Sequence, residues 1–278
     1  MEWNRIFDRM SYHVVYDDTI ADALEYASSH GFSGVQIATS VPHLALESMD
    51  GEELAKIKKR STELGIRINL HAPDELTLTH TQHRVNDAIM SYYSGLIGIA
   101  QGLGAQIITV HPGALAAYPE DAAPYKKRPE KDTEAYAEIF DDNLKRLAAM
   151  AEEKVHICIE NLDLEGPTMN ALEKHIKNTD LALCWDLPKM YSYNGDDVRV
   201  KTETQEFLFR NLKRIRQVHL HSIANGKSHR VIQKGAIDFR QYLSMLKDVD
   251  VLDYCIEVRP REKAVESLSN LKKMLLTS

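Results

Sequence analysis

The chain has 278 residues, 44% of them hydrophobic and 27% charged, with a formal net charge of −7. That apolar fraction can fill a core and excludes a disordered chain, while the acidic balance disfavours a nucleic-acid partner without forbidding a local basic groove. Met1-Glu2-Trp3-Asn4-Arg5 has no apolar signal core, and no run approaches the roughly 18 apolar residues of a membrane span, so a cytoplasmic protein with no membrane partner is expected.

Strand and helix patterns alternate along the chain. A strand-like run at 9–15 precedes a helical pattern at 19–30, and the pairing repeats at 34–38 and 50–64, 66–71 and 85–103, and 106–111 and 133–153. It continues at 155–160 and 168–178, 181–186 and 203–213, 215–220 and 238–247, and 253–258 and 263–275. Eight strands, each followed by a helix, predict an α/β protein with a (β/α)8 TIM-barrel fold in one domain over 1–278. The strands are continuous apolar runs, as expected when both faces of the sheet are covered. Gly31, Gly65 and Gly104 stand just before strands, where a left-handed cap ends a helix. Cys158, Cys184 and Cys255 fall inside strand runs; three is an odd number for a disulfide framework, so buried free thiols are expected. The loops at 113–131, 187–202 and 222–237 are long, and the charged segment 119–132 reads equally as a lid or a solvated excursion.

Six strands end in residues able to bind a divalent metal: His71, His111, Glu160, Asp186, His219 and Glu257. They converge only if the strands run parallel in one barrel, whose C-terminal face is where barrel enzymes place their chemistry. Glu160, Asp186, His219 and Glu257 form the inner set, and three carboxylates with one imidazole suit Mn²⁺, Mg²⁺, Co²⁺ or Zn²⁺. His71 and His111 are expected to bind substrate oxygens or to build a second, nitrogen-rich Zn²⁺ site that shares Glu160. His221 follows His219 by two and Arg259 follows Glu257 by two, so each points the same way as its neighbour. His221 is read as a support for the site, and Arg259 as a substrate or carboxylate contact. Tyr12 and His13 read as packed core ahead of pocket floor, and Trp185 as barrel–helix packing. His30, His43, His80, His83, His156 and His175 read as surface or capping residues. Lys189, Lys227, Arg230 and Lys234 suggest a cationic rim for a substrate phosphate or carboxylate, with His229 among the substrate-binding candidates.

The run Gly31-Phe32-Ser33-Gly34-Val35-Gln36, the endings His71-Ala72-Pro73 and His111-Pro112-Gly113, and the series Glu160, Asp186, His219, Glu257 resemble the xylose-isomerase-like barrel superfamily. That group includes sugar isomerases and epimerases, inositol-catabolism enzymes and the endonuclease IV branch of DNA repair, and the resemblance spans nearly the whole chain. In the epimerase-like branch it implies one divalent metal on Glu160, Asp186, His219 and Glu257. Substrate oxygens would chelate that metal while Glu160 and Glu257 trade a proton beside a carbonyl, through an enediolate. The implied substrate is a small sugar, sugar phosphate or cyclitol-like carbonyl compound.

The endonuclease IV branch implies a three-zinc cluster that cuts abasic DNA. Its histidine three residues after the strand-6 aspartate is replaced here by Lys189, and its Asp-x-His pair reads Lys227-Ser228-His229. Two lysines repel a third cation, so an isomerase or epimerase is favoured over a zinc-dependent phosphodiesterase. A barrel that binds metal or sugar without turnover is the third reading. Gln36 stands where many sugar-active members carry a glutamate, and its amide is expected to orient a hydroxyl. The resemblance leaves homo-oligomerisation open.

Overall fold

Helix ends along the chain are set by local chemistry. The helix Gly51–Leu64 opens on a capping box, with Asp50 accepting from the N–H groups of Glu52 and Glu53 while the Glu53 side chain accepts from the Asp50 N–H. Gly104, at φ 75°, closes the helix His83–Leu103 in the left-handed region and turns the chain into the next strand.

The computed structural model describes residues 3–119, 126–127, 129–195 and 197–277. Much of the 119–132 segment, read as lid or excursion, lies outside the described residues. Eight parallel strands form a closed barrel: β1 (Met10–Val14), β2 (Gly34–Ala38), β3 (Arg67–His71), β4 (Ile107–Val110), β5 (His156–Glu160), β6 (Ala182–Asp186), β7 (Ile215–Leu220) and β8 (Asp253–Ile256). Each pairs with its sequence neighbours, and β1 closes the ring on β8 through Met10 and Tyr254. Every strand lies within two residues of its expected bounds. The strands are followed in turn by helices Ile20–Ser29, Gly51–Leu64, His83–Leu103, Glu130–Ala151, Gly166–Asn178, Thr202–Arg210, Phe239–Met245 and Arg261–Leu276. Among the described residues no helix is long and apolar enough to cross a membrane.

Strand alternation divides the residues between two cores. Outward-facing side chains join the helices in the large apolar layer. Trp185 is in it, packed edge-on against Phe209 and Tyr242, as is Tyr12, whose hydroxyl donates to Asp17. The barrel interior holds a small apolar cluster of Ile107, Cys158, Ala182 and Cys184. It also holds buried Ser11, Gln36, Asn69, Thr109, Gln217 and Asp253. All three cysteines are buried and free.

The extra chain length gathers at the strand C-terminal face. Two-stranded antiparallel pairs follow β4 (Tyr118–Pro119 with Lys126–Lys127), β6 (Tyr191–Asn194 with Asp197–Val200) and β7 (the hairpin of Ser222–Ala224 with Lys227–Arg230).

Candidate metal centre

At the C-terminal face the six strand endings meet. Glu160 Oε2 lies 3.2 Å from His111 Nε2, 3.8 Å from His71 Nε2 and 3.4 Å from His219 Nδ1. The same His219 nitrogen is 3.5 Å from Glu257 Oε2. Asp186 pairs in register with His219, and one of its carboxylate oxygens falls within 4.8 Å of a His219 ring nitrogen and a Glu257 oxygen. Past the end of β4, two residues after His111, the chain packs closely on residues 77–79: Gly113 takes φ 91°, and a Cβ there would collide with the Thr77 side chain.

The hydrogen bonds fix which ring nitrogens face inward. His71 Nδ1 donates to the Ala72 carbonyl at 2.8 Å, leaving the Nε2 lone pair toward Glu160. His221 Nδ1 accepts from the His229 backbone N–H at 3.0 Å, so its Nε2–H donates to Asp186 Oδ2 at 3.2 Å. Lys189 N–H donates to the other oxygen of Asp186. Asp186 is therefore held from both sides.

The charged groups of the centre are buried. Burial alone would strip the proton from His219, but Glu257 and Glu160, with Asp186 beyond, outweigh it and raise its pKa to about 9. Burial likewise disfavours the charged forms of Glu160 and Glu257. Imidazoles outweigh it in both cases, His111, His219 and His71 around Glu160 and His219, His13 and His229 around Glu257, and hold both carboxyls well below the usual range. His13 follows its burial instead and falls to about 3. Glu160 Oε2 and His219 Nδ1 are buried and make no hydrogen bond. Buried charges persist when they are paired or coordinate a metal. A mixed oxygen and nitrogen donor set with two such orphaned atoms fits a divalent cation.

Around this centre a cavity of about 450 Å³ is lined by His13, His71, Asp74, Thr77, His111, Gly113, Ala114, Glu160, Leu162, Asp163, Lys189, His229, Glu257 and Arg259. His229 projects inward from the hairpin after β7 at φ 54°, with Nε2 3.4 Å from Glu257 Oε2. His13 Nδ1 lies 3.1 Å from the other oxygen of Glu257, and Arg259 Nη2 lies 3.8 Å from that oxygen.

The structure thus brings together His71, His111, Glu160, Asp186, Lys189, His219, His229, Glu257 and Arg259. Of the four cations expected at a rim, Lys189 alone lines this cavity. Lys227 and Arg230 are exposed and line no part of the cavity, because Lys227 sits at the hairpin tip and Arg230 faces away from its inward neighbour His229. Lys234 is exposed on a separate groove.

His175 is not a surface residue: it is buried and meets Asp141 at 2.9 Å beside a flank groove of about 920 Å³, far from the strand ends. Gln36 orients the hydroxyl of Thr109 within the barrel and lies outside the cavity. Sequence reading ranked His13 below its place and passed over Asp74 and Asp163. The parity of β1, which puts His13 on the same face as Ser11, is the signal that finds the first; the two aspartates sit on loops, where no periodicity applies.

The sequence matches the xylose isomerase-like TIM barrel family over residues 24–274. An uncharacterized protein of Methanocaldococcus jannaschii is 24% identical over 204 residues, which is 72% of this chain and 68% of that protein. Among solved structures, a D-tagatose 3-epimerase-like protein superposes with a TM-score of 0.71 at 19% identity, covering 96% of this chain and 97% of the other. The 3-keto-D-glucoside 4-epimerase from E. coli gives 0.70 at 14%, covering 96% and 98%. Endonuclease IV from Thermus thermophilus gives 0.66 at 19%, covering 96% and 97%. With residues 24–274 matched and the closed parallel barrel in place, this chain belongs to the xylose isomerase-like TIM barrel family.

Proposed function

We propose that the protein is a divalent-metal-dependent isomerase or epimerase of a small polyhydroxylated carbonyl compound. The observation that carries this reading is the pair of buried, hydrogen-bond-free donor atoms Glu160 Oε2 and His219 Nδ1, flanked by Glu257 and Asp186. Glu160, Asp186, His219 and Glu257 would hold the ion. When bound, such an ion polarises neighbouring hydroxyl and carbonyl oxygens and makes the adjacent C–H more acidic.

The chain's own residues do the rest. Glu160 and Glu257 approach His219 Nδ1 from different strands, so one carboxylate takes a proton from the substrate carbon and the other returns one. The surrounding imidazoles keep both carboxyls ionised and ready to accept. His221 and the Lys189 N–H hold Asp186 still. Asp74, Asp163 and Lys189 offer hydrogen-bond partners to hydroxyls within a cavity of monosaccharide scale. Incubating the Mn²⁺- or Co²⁺-supplemented protein in D₂O with ketoses and inosose-like compounds tests the reading. Deuterium should enter the carbon beside the carbonyl, and a panel without exchange would count against it.

A second reading has its own observation. His71 and His111 both aim Nε2 at Glu160 Oε2, a nitrogen-rich pair suited to Zn²⁺ and to a zinc-dependent phosphodiesterase of the endonuclease IV type. Nicking of a duplex carrying an abasic site would favour it.

A further inference from the structure

Beneath His219 the barrel interior carries a continuous row of amides and hydroxyls. The buried Gln36 amide nitrogen is 3.2 Å from His219 Nε2 and donates to Thr109 Oγ1 at 2.8 Å. The Thr109 hydroxyl donates to Gln217 Oε1, and the Gln217 amide donates to Asp253 Oδ2 at 3.1 Å, an oxygen that also accepts from Ser11 Oγ at 2.9 Å. None of these side chains lines the cavity, so whatever they contribute to a bound ion passes through His219.

His219 presents Nδ1 to Glu160 and Glu257, and Nε2 to Gln36. An ion takes the lone pair of one imidazole nitrogen, and the partner of the other nitrogen decides the tautomer. An ion at Nδ1 puts the proton on Nε2, which then needs an acceptor. Gln36 has one to give: its Oε1 is buried and unpartnered, and a half-turn of the amide exchanges oxygen and nitrogen with almost no change of shape. Asn69, the register neighbour of Gln36 on β3, also has a buried Oδ1 without a donor, an acceptor on the adjoining strand for the amide N–H that the turn brings round.

We propose that Gln36 is the positioning residue of the metal centre: its side-chain carbonyl holds the Nε2–H form of His219, so that the Nδ1 lone pair points into the gap between Glu160 and Glu257. With the amide turned, the Thr109 hydroxyl swings from Gln217 Oε1 to donate to the Gln36 carbonyl and holds it in place. This inference rests on the metal-centre reading. Partners of a ligand imidazole's second nitrogen typically account for roughly 10–100-fold in metal affinity.

The test measures Zn²⁺ affinity of the full chain by competition with a chromophoric chelator. Wild type, Gln36→Met (same length, no acceptor), Gln36→Glu (acceptor kept), Thr109→Val and His219→Ala are compared, with thermal unfolding of each apoprotein. Gln36→Met should bind roughly 10–100-fold more weakly with an unchanged unfolding temperature. Gln36→Glu should stay within a few-fold of wild type, and Thr109→Val should show a smaller loss. In the Zn²⁺-loaded wild type the His219 Nε2–H resonance should show a protected, hydrogen-bonded proton that Gln36→Met loses. A folded Gln36→Met that binds Zn²⁺ as tightly as wild type would overturn the proposal alone; if it does not fold, unchanged affinity in Thr109→Val would do so. Unchanged affinity in His219→Ala would instead remove the metal-centre reading, and this proposal with it.

Discussion

Glu160 Oε2 and His219 Nδ1 face each other at 3.4 Å, sealed from solvent, and neither makes a hydrogen bond. Without an ion His219 keeps its proton only because Glu257 and Glu160 oppose the cost of burial, and an ion seated between the two atoms would replace that proton and take both lone pairs. The same ion would draw in Glu257 and Asp186.

Replacing one ligand should therefore separate binding from folding. Glu160→Gln keeps shape and removes charge; it should weaken metal binding and lower proton exchange by roughly 10²–10⁴-fold, the range of a positioned acid or base. Its apoprotein should unfold below the wild-type temperature, because the folded state favours the ionised carboxylate through His111, His219 and His71, and the amide leaves those imidazoles without it. Titration with Mn²⁺ and calorimetry of the apoprotein check both halves.

Gly113→Ala is expected to damage the site from outside it. A Cβ would strike Thr77, and the backbone there lies at φ 91°. Strain of this type costs about 1–3 kcal/mol, so unfolding should shift to lower denaturant, and His111 should lose its approach to Glu160. Urea denaturation with Zn²⁺ stoichiometry measures the two effects separately.

Asp253 gives a pH signature at the barrel floor. Burial raises its pKa above the ordinary carboxylate value, against the opposing pull of Gln217, Arg67, Ser11 and the more distant His219. A raised folded pKa means that the folded state binds more protons than the unfolded one within that window. Its stabilising effect is thus complete below about pH 3.9, the unfolded value, and declines as pH rises through the folded value. Asp253→Asn should lack this decline, so its stability relative to wild type should rise between about pH 4 and neutrality. Urea unfolding across that range gives the slope.

Lys189 and the outer cations should behave differently toward an anionic substrate. Lys189 lines the cavity, while Lys227 and Arg230 are exposed beyond it. Lys189→Ala should raise KM roughly 10-fold or more, as expected for a lost charged hydrogen bond. The double variant Lys227→Ala, Arg230→Ala should leave KM unchanged, and steady-state kinetics at fixed ionic strength distinguishes them.

The barrel was legible because its cause is periodic. Alternating apolar strands and amphipathic helices forced parallel pairing, and six ligand-type residues at strand ends then had one place to meet. His71, His111, Glu160, Asp186, His219 and Glu257 needed only strand parity to be gathered. Lys227 and Arg230 fall outside the cavity lining because they lie in a hairpin, where the turn and not the barrel decides direction; His229 between them turns inward. Gln36 was visible as a departure, but its role beneath His219 depends on contacts with residues 109 and 219, far from it in sequence.

Metal occupancy of the His219 site is measured by elemental analysis per chain, on protein purified without chelator or affinity tag and compared with His219→Ala and Glu160→Ala. Wild-type protein should hold at least one divalent ion tightly per chain, and a second, zinc, where His71 and His111 are filled. Both variants should remain folded and lose the ion at the His219 site. Wild-type protein that retains no Mn²⁺, Co²⁺, Mg²⁺ or Zn²⁺ after loading and dialysis would contradict the metal-centre reading, as would variants that keep the wild-type content.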